Sequence, residues 1–416
     1  MYIEFAVVAI FIFAYSVVAG RIEKSVVSGP IIFVAAGFIL GPLGLRLLDG
    51  ETPDNALRIL ADLTLATFLF IDAAGANFDV LRKQFTIPGR MLLIGLPGAM
   101  LLGAIAAGLF FGSLTIFEAA ILGIMLAATD AALGKPVITN RAVPARLRES
   151  LNIESGLNDG LCVPFLLVFI SLAAGANGHG EGGVGLALQL VAQELGIGLL
   201  VGVLMTLVAS TLISWCRKRG WLSKIWIQAT APALAIACFA VAQSVHGSGY
   251  IAAFVGGLTF GLIMKDDVHD LVHAAEGLGE TLALMTWLLF GAVVVGQSFE
   301  YFTWPMLIYA VLSLTLFRML PIFLSLAGTG EVTRTKLFLG WFGPRGLASI
   351  VFAIIVVNSE VPGARFLAMV VVLTVFLSLV LHGVSANPLA KWIAAKEAAP
   401  PDGESSQAVA SSTTRL

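Results

Sequence analysis

Apolar stretches that are candidates to cross a bilayer recur thirteen times along this chain, and that recurrence limits the fold more than any other feature. A helix needs about 20 mostly apolar residues to span the hydrocarbon. Stretches of that kind occupy approximately 3–19, 26–41, 57–74, 87–111, 117–133, 151–174 and 186–215. They continue at 227–245, 250–264, 278–297, 305–327, 337–357 and 365–384. The second and ninth are short for a full crossing. Of the 416 residues, 58% are hydrophobic and 12% charged, about half the charge of a soluble domain. A single soluble core stops growing beyond about 250–300 residues, so that apolar surface needs lipid as its solvent. The fold class is therefore all-α and polytopic.

The basic residues test the count independently. Arg21 and Lys24, then Arg82, Lys83 and Arg90, then Lys135, Arg141, Arg146 and Arg148 fall between alternate spans. Arg217, Lys218, Arg219 and Lys224 continue the alternation, followed by Lys265, by Arg334 and Lys336, and by Lys391 and Lys396. The intervening loops hold only Arg46, Arg58 and Arg365. Cytoplasmic loops collect Lys and Arg, so the expected topology has the amino terminus outside and the carboxyl terminus inside a cell (inner) membrane. The segment from Met1 to Ala19 lacks a basic leader region and is expected to be a first span, not a cleaved signal. Residues 1–397 are expected to form one membrane domain, and 398–416, rich in Ala, Pro, Ser and Thr, a disordered cytoplasmic tail.

Ionisable groups at membrane depth are costly, and their default reading is functional. Here they are Asp72, Asp130, Glu154, Asp159, Arg318 and Arg345, with Asp62 nearer a span end. The densest group is Glu154-Ser155-Gly156-Leu157-Asn158-Asp159-Gly160 in the sixth span. Helical neighbours recur at three and four residues, so Glu154 and Asn158 share one face while Ser155 and Asp159 share the adjoining one. Hard cations take oxygen ligands, which these side chains supply. Ser155 and Asn158 are equally suited to hydrogen-bonding neighbouring helices.

Two spans carry breaks. Thr129-Asp130 closes an apolar run just before Gly134-Lys135-Pro136, and the twelfth span contains Trp341-Phe342-Gly343-Pro344-Arg345-Gly346. Proline removes a backbone donor and disfavours helix at the preceding residue. Interrupted spans in corresponding halves of a transporter point to its binding site. Asp130 and Arg345 are then placed to offset exposed half-helix dipoles. Arg318 requires a partner in hydrocarbon, and Glu154 is the expected one, holding the sixth span against the eleventh. Asp72 is either an acid behind the site or a helix–helix contact.

The run Ala128-Thr129-Asp130, the run Val143-Pro144-Ala145-Arg146-Leu147 and the Glu154–Gly160 segment together resemble the cation/proton antiporters of the NhaP-like branch. Phe70-Ile71-Asp72-Ala73 and Gly343-Pro344-Arg345-Gly346 also look like motifs of that family. The resemblance extends to about Val384. It implies an inverted-repeat fold with interrupted crossing helices, interleaved core and dimerisation subdomains, and a homodimer. It further implies sodium/proton exchange serving pH homeostasis, with Asp159 alternately binding cation or proton. Thr129, Asp130 and Ser155 would join Asp159 around the Na+, and Asn158 in place of a second acid goes with electroneutral one-for-one exchange. No cofactor is implied beyond the transported ions. Ala131 after Thr-Asp, Lys135 beside the break and Gly156 depart from the usual pattern.

Other classes fit less well. Potassium/proton exchange on the same fold stays open, and a cation channel or uniporter would use the same acids. An enzyme would need a nucleophile–base pair or metal cluster at membrane depth. His179, His246, His269, His273 and His382 are expected nearly all in loops or near helix ends, and His269 and His273, flanked by Asp266, Asp267 and Asp270, in a solvated loop. Cys162, Cys216 and Cys238 lack metal-ligand spacing. No basic stripe suggests nucleic acid.

Overall fold

The computed structural model describes residues 2–22, 28–48, 54–76, 85–176, 183–223, 226–265, 268–295, 301–359 and 361–398. Among them there is helix and no strand. Among the described residues, each of the thirteen apolar stretches falls mainly on helix. In chain order these are α1 (Tyr2–Ile22), α2 (Gly29–Leu40), α3 (Asp54–Gly75), α4 (Thr86–Phe110) and the two halves of the fifth, α5a (Ile116–Met125) and α5b (Ala131–Ile138). Next come α6 (Ala145–Ala176), α7 (Gly183–Lys218), α8 (Ile227–Ser244), α9 (Gly249–Met264) and α10 (Val268–Leu289, prolonged by a π-turn over Phe290–Val295). The chain continues through α11 (Trp304–Ser325), the halves α12a (Thr333–Trp341) and α12b (Leu347–Val357), and α13 (Ala364–Ala398). Seven of these helices are long and apolar enough to cross a membrane unaided. Their outward faces carry large apolar side chains such as Phe13, Leu109 and Val208, all exposed as lipid-facing surface requires.

Two bundles emerge from the packing. Helices α4, α5a, α6, α11, α12 and α13 pack on one another, with α5b against α6 and α13. Helices α2, α3, α7, α8, α9 and α10 form the other group. Helix α1 leans on the second group through Phe11 and Tyr15, whose rings meet Phe33 of α2 edge-on at 4.9 Å. The bundles meet where α6 and α12b face α3, and where α6 faces α7 and α9.

Several expectations need correction. The fifth span breaks over 126–130, earlier than the Gly134-Lys135-Pro136 sequence suggested, and those three residues lie inside α5b. The reason is local: Asp130 caps α5b, its Oδ1 accepting the Leu133 amide at 3.1 Å, so the second half starts at once. His269, Asp270 and His273 belong to the first turns of α10 and not to a loop. His382 is in the interior of α13 and buried. Lys24, Arg82, Lys83, His179, Lys224, Asp266, Asp267 and the tail 399–416 lie outside the described residues, and Ala398, assigned above to the tail, ends α13.

Candidate functional site

A membrane helix that stops mid-bilayer leaves unpaired carbonyls at one end and unpaired amides at the other, with the partial charges of the helix dipole. At the crossing of α5 and α12 this happens twice, and the two breaks satisfy one another. The Asp130 amide donates to the Pro344 carbonyl at 2.8 Å, so the two extended segments touch backbone to backbone. The Asp130 carboxylate serves both amino ends. Its Oδ1 takes the Leu133 amide of α5b, and its Oδ2 takes the Leu347 amide of α12b at 2.8 Å. Arg345 serves the carboxyl end of α5a, donating to the carbonyls of Ala127 (2.6 Å) and Ala128 (3.1 Å). Ser349 adds a bond to the Met125 carbonyl at 2.7 Å.

The glycines of Gly343-Pro344-Arg345-Gly346 have a steric reason. A Cβ on Gly346 would overlap the Asp130 carboxylate, and one on Gly343 would overlap the Arg318 guanidinium. Any side chain there would push an essential charge off its partner.

Glu154 and Arg318 meet as expected. Arg318 donates from Nη1 to Oε1 at 3.0 Å and from Nη2 to Oε2 at 3.1 Å, a bidentate pair with both residues at most 1% exposed. Asn158, one turn beyond Glu154, donates to the Thr129 hydroxyl and to Glu154 (3.4 Å), and its Oδ1 accepts the Thr129 amide at 3.3 Å. Thr129 Oγ1 in turn lies 3.4 Å from both Glu154 Oε2 and Ser155 Oγ. The network ties the end of the first break to α6.

Asp159 stands apart from that network. It is only partly buried, yet its Oδ1 is enclosed and accepts no hydrogen bond. Asp130, Asp72, Glu154 and Arg345 are near enough to act on it electrostatically. Ser155, one turn earlier on α6, turns its hydroxyl toward Thr129. Asp72 comes from the other bundle and packs over Gly156, where a Cβ would stand 3.1 Å from the Asp72 Cβ. The glycine that departs from the usual pattern thus lets α3 bring an acid close. Asp62 lies elsewhere, accepting the Tyr250 hydroxyl at 2.5 Å and facing Arg58 at 3.8 Å. Lys135 pairs with Glu280 of α10. Ser378, which sequence reasoning passed over, and His382, to which it gave no role, lie beside Arg345. Their four-residue spacing inside an otherwise apolar run was the available signal.

A polytopic helical protein with two broken helices crossing beside an unpaired acid has the architecture of an inverted-repeat secondary transporter. Comparison with known proteins agrees. Residues 7–392 match the model of the sodium/hydrogen exchanger transmembrane family, and the chain belongs to that family. It is 25% identical over 386 residues to a K(+)/H(+) antiporter NhaP of Alkalimonas amylolytica, covering 92% of this chain and 65% of that one. It is also 22% identical over 361 residues to a probable Na(+)/H(+) antiporter of Schizosaccharomyces pombe, covering 82% and 47%. The chain thus spans less than two thirds of the length of these curated relatives. Among solved structures, the sodium proton antiporter MjNhaP1 of Methanocaldococcus jannaschii superposes with a TM-score of 0.75 at 21% identity, over 94% of this chain and 98% of that one.

Proposed function

We propose that this chain is a secondary antiporter that exchanges a monovalent cation, sodium first, for protons, with Asp159 binding either in turn. The observation that carries the reading is the enclosed, unpartnered Asp159 Oδ1, one helical turn beyond Ser155, whose hydroxyl meets that of Thr129. An unpaired carboxylate oxygen shielded from water is unfavourable, and either a proton or a cation relieves it. Both cannot do so at once, and that competition suffices for exchange. Obligatory coupling follows because the bare charged acid crosses the membrane only at high cost.

In this reading Asp159, Ser155 and Thr129 supply the cation's oxygens. Asp130 holds both half-helix amino ends and adds negative potential, and Asn158 fixes Thr129 against Glu154. A single titrating acid per cycle fits one-for-one, electroneutral exchange. Asp72 belongs to the approach to the site from the opposite bundle. The two bundles correspond to a moving core and a dimerisation scaffold in a homodimer, in a cell membrane with the amino terminus outside as the loop charges require. The transported ions are the only small partners the site needs.

The names of the relatives favour potassium as a second cation. Reconstituted protein challenged with Na+, Li+ and K+ pulses, with a pH-sensitive dye inside the vesicles, tests both. Cation-driven proton flux that is lost in Asp159→Asn supports the proposal; flux indifferent to a proton gradient would point to a channel.

A further inference from the structure

Four half-helix ends meet at the crossing, and Asp130 and Arg345 account for three of them. The fourth, the carboxyl end of α12a, ends on His382. Its Nε2 lies 3.0 Å from the Trp341 carbonyl, the last of α12a. Its Nδ1 lies 3.1 Å from the Ser378 hydroxyl and 3.1 Å from the Ser378 carbonyl. The same Ser378 hydroxyl accepts the backbone amide of Arg345 at 2.7 Å. The imidazole is 2% exposed and lies against the Trp341 ring, centroids 4.9 Å apart. The Trp341 indole is itself fixed by a 2.9 Å bond to Ser385. No carboxylate is among the ring's partners. Arg345 and Arg318 are the charged groups near enough to act on it. A neutral ring with its proton on Nε2 donates to Trp341 and accepts from Ser378, whose oxygen stays free to receive Arg345.

We propose that His382 is a positioning residue for transport. Its neutral ring ties the end of α12a to Ser378, and through Ser378 to the backbone of Arg345. Arg345 grips the Ala127 and Ala128 carbonyls, which precede Thr129 directly. The position of a cation-binding hydroxyl is thereby set from a helix that contributes no ligand. This rests on the exchange reading, but it makes a separate claim about affinity.

Three variants test it in proteoliposomes, alongside thermal-shift titration of purified protein with NaCl. His382→Leu is expected to raise the cation KM by about five- to tenfold, the scale of one lost buried hydrogen bond, with the maximal rate changed less. His382→Gln offers an N–H to Trp341 and an oxygen to Ser378. It is expected to keep both KM and the pH profile of the wild type. Ser378→Ala is expected to raise KM in the same direction, and to add nothing when combined with His382→Leu. An unchanged KM in folded His382→Leu overturns the proposal. So does a Gln variant as weak as the Leu variant with a displaced pH profile, which would mean that the ring titrates. If His382→Leu fails to fold, a wild-type KM in Ser378→Ala is decisive against it. Absence of proton flux in the wild type would sink the exchange reading alone, since the NaCl titration midpoints still rank the variants.

Discussion

Glu154 and Asp159 lie on the same helix, five residues apart, and the protein treats them in opposite ways. Glu154 is sealed from solvent and gives both oxygens to one guanidinium, with Thr129 and Asn158 around it. Asp159 is partly open and keeps one oxygen without a donor. A buried carboxylate with a bidentate partner is committed to holding helices together, since releasing it would strand two charges. A carboxylate that nothing in the protein satisfies is available for a guest. In the proposed reading, the number of donors each acid receives, more than its depth, separates scaffold from site.

The comparison is most exposed at Asp159. Asp159→Asn keeps the shape and removes the charge, so cation-driven proton flux is expected to vanish while the protein elutes and melts as the wild type does. Residual flux near the wild-type rate would end the distinction. Next in size is the scaffold pair. Arg318→Ala strands Glu154 and is expected to cost about 3–5 kcal/mol, seen as lower yield and a Tm well below that of Asp159→Asn. The double variant Arg318→Leu/Glu154→Leu should recover much of the loss, because two apolar groups replace two charges. Equal melting of Arg318→Ala and Asp159→Asn would contradict the assignment of roles.

Smaller effects sharpen the border between the two. Ser155→Ala removes one oxygen facing Thr129 and is expected to weaken the cation KM about tenfold, equivalent to about 1.4 kcal/mol, with little change in Tm. A fall in Tm without a change in KM would move Ser155 to the scaffold. Least affected should be Lys135→Ala. Its pairing with Glu280 is half exposed on both sides, and such pairs contribute about 0–1 kcal/mol. Transport assayed at low and high ionic strength should barely separate this variant from the wild type.

Much of this was legible from spacing alone. The thirteen spans, the twin breaks and the crowding of oxygens on α6 follow from hydropathy and the helical repeat, which are local properties of the chain. The need of Arg318 for an acid was legible too, because an unpaired guanidinium in hydrocarbon has no alternative. The position of the first break was not: Gly134 and Pro136 are the conspicuous residues, yet the break is set by which side chain caps α5b. The role of His382 was hidden for a related reason. A lone polar residue near the end of an apolar run gives no sign of whether a carbonyl from another helix waits beside it.

The sequence by itself determined that the chain crosses a membrane many times, that two of its helices are interrupted, and which few charges are buried, since burial in lipid is decided residue by residue. Only the tertiary structure decided which charge answers which helix end and why Gly343 and Gly346 must lack side chains. Those outcomes depend on contacts between segments as much as some 200 residues apart, as Asp130 and Leu347 are, and no local pattern encodes them.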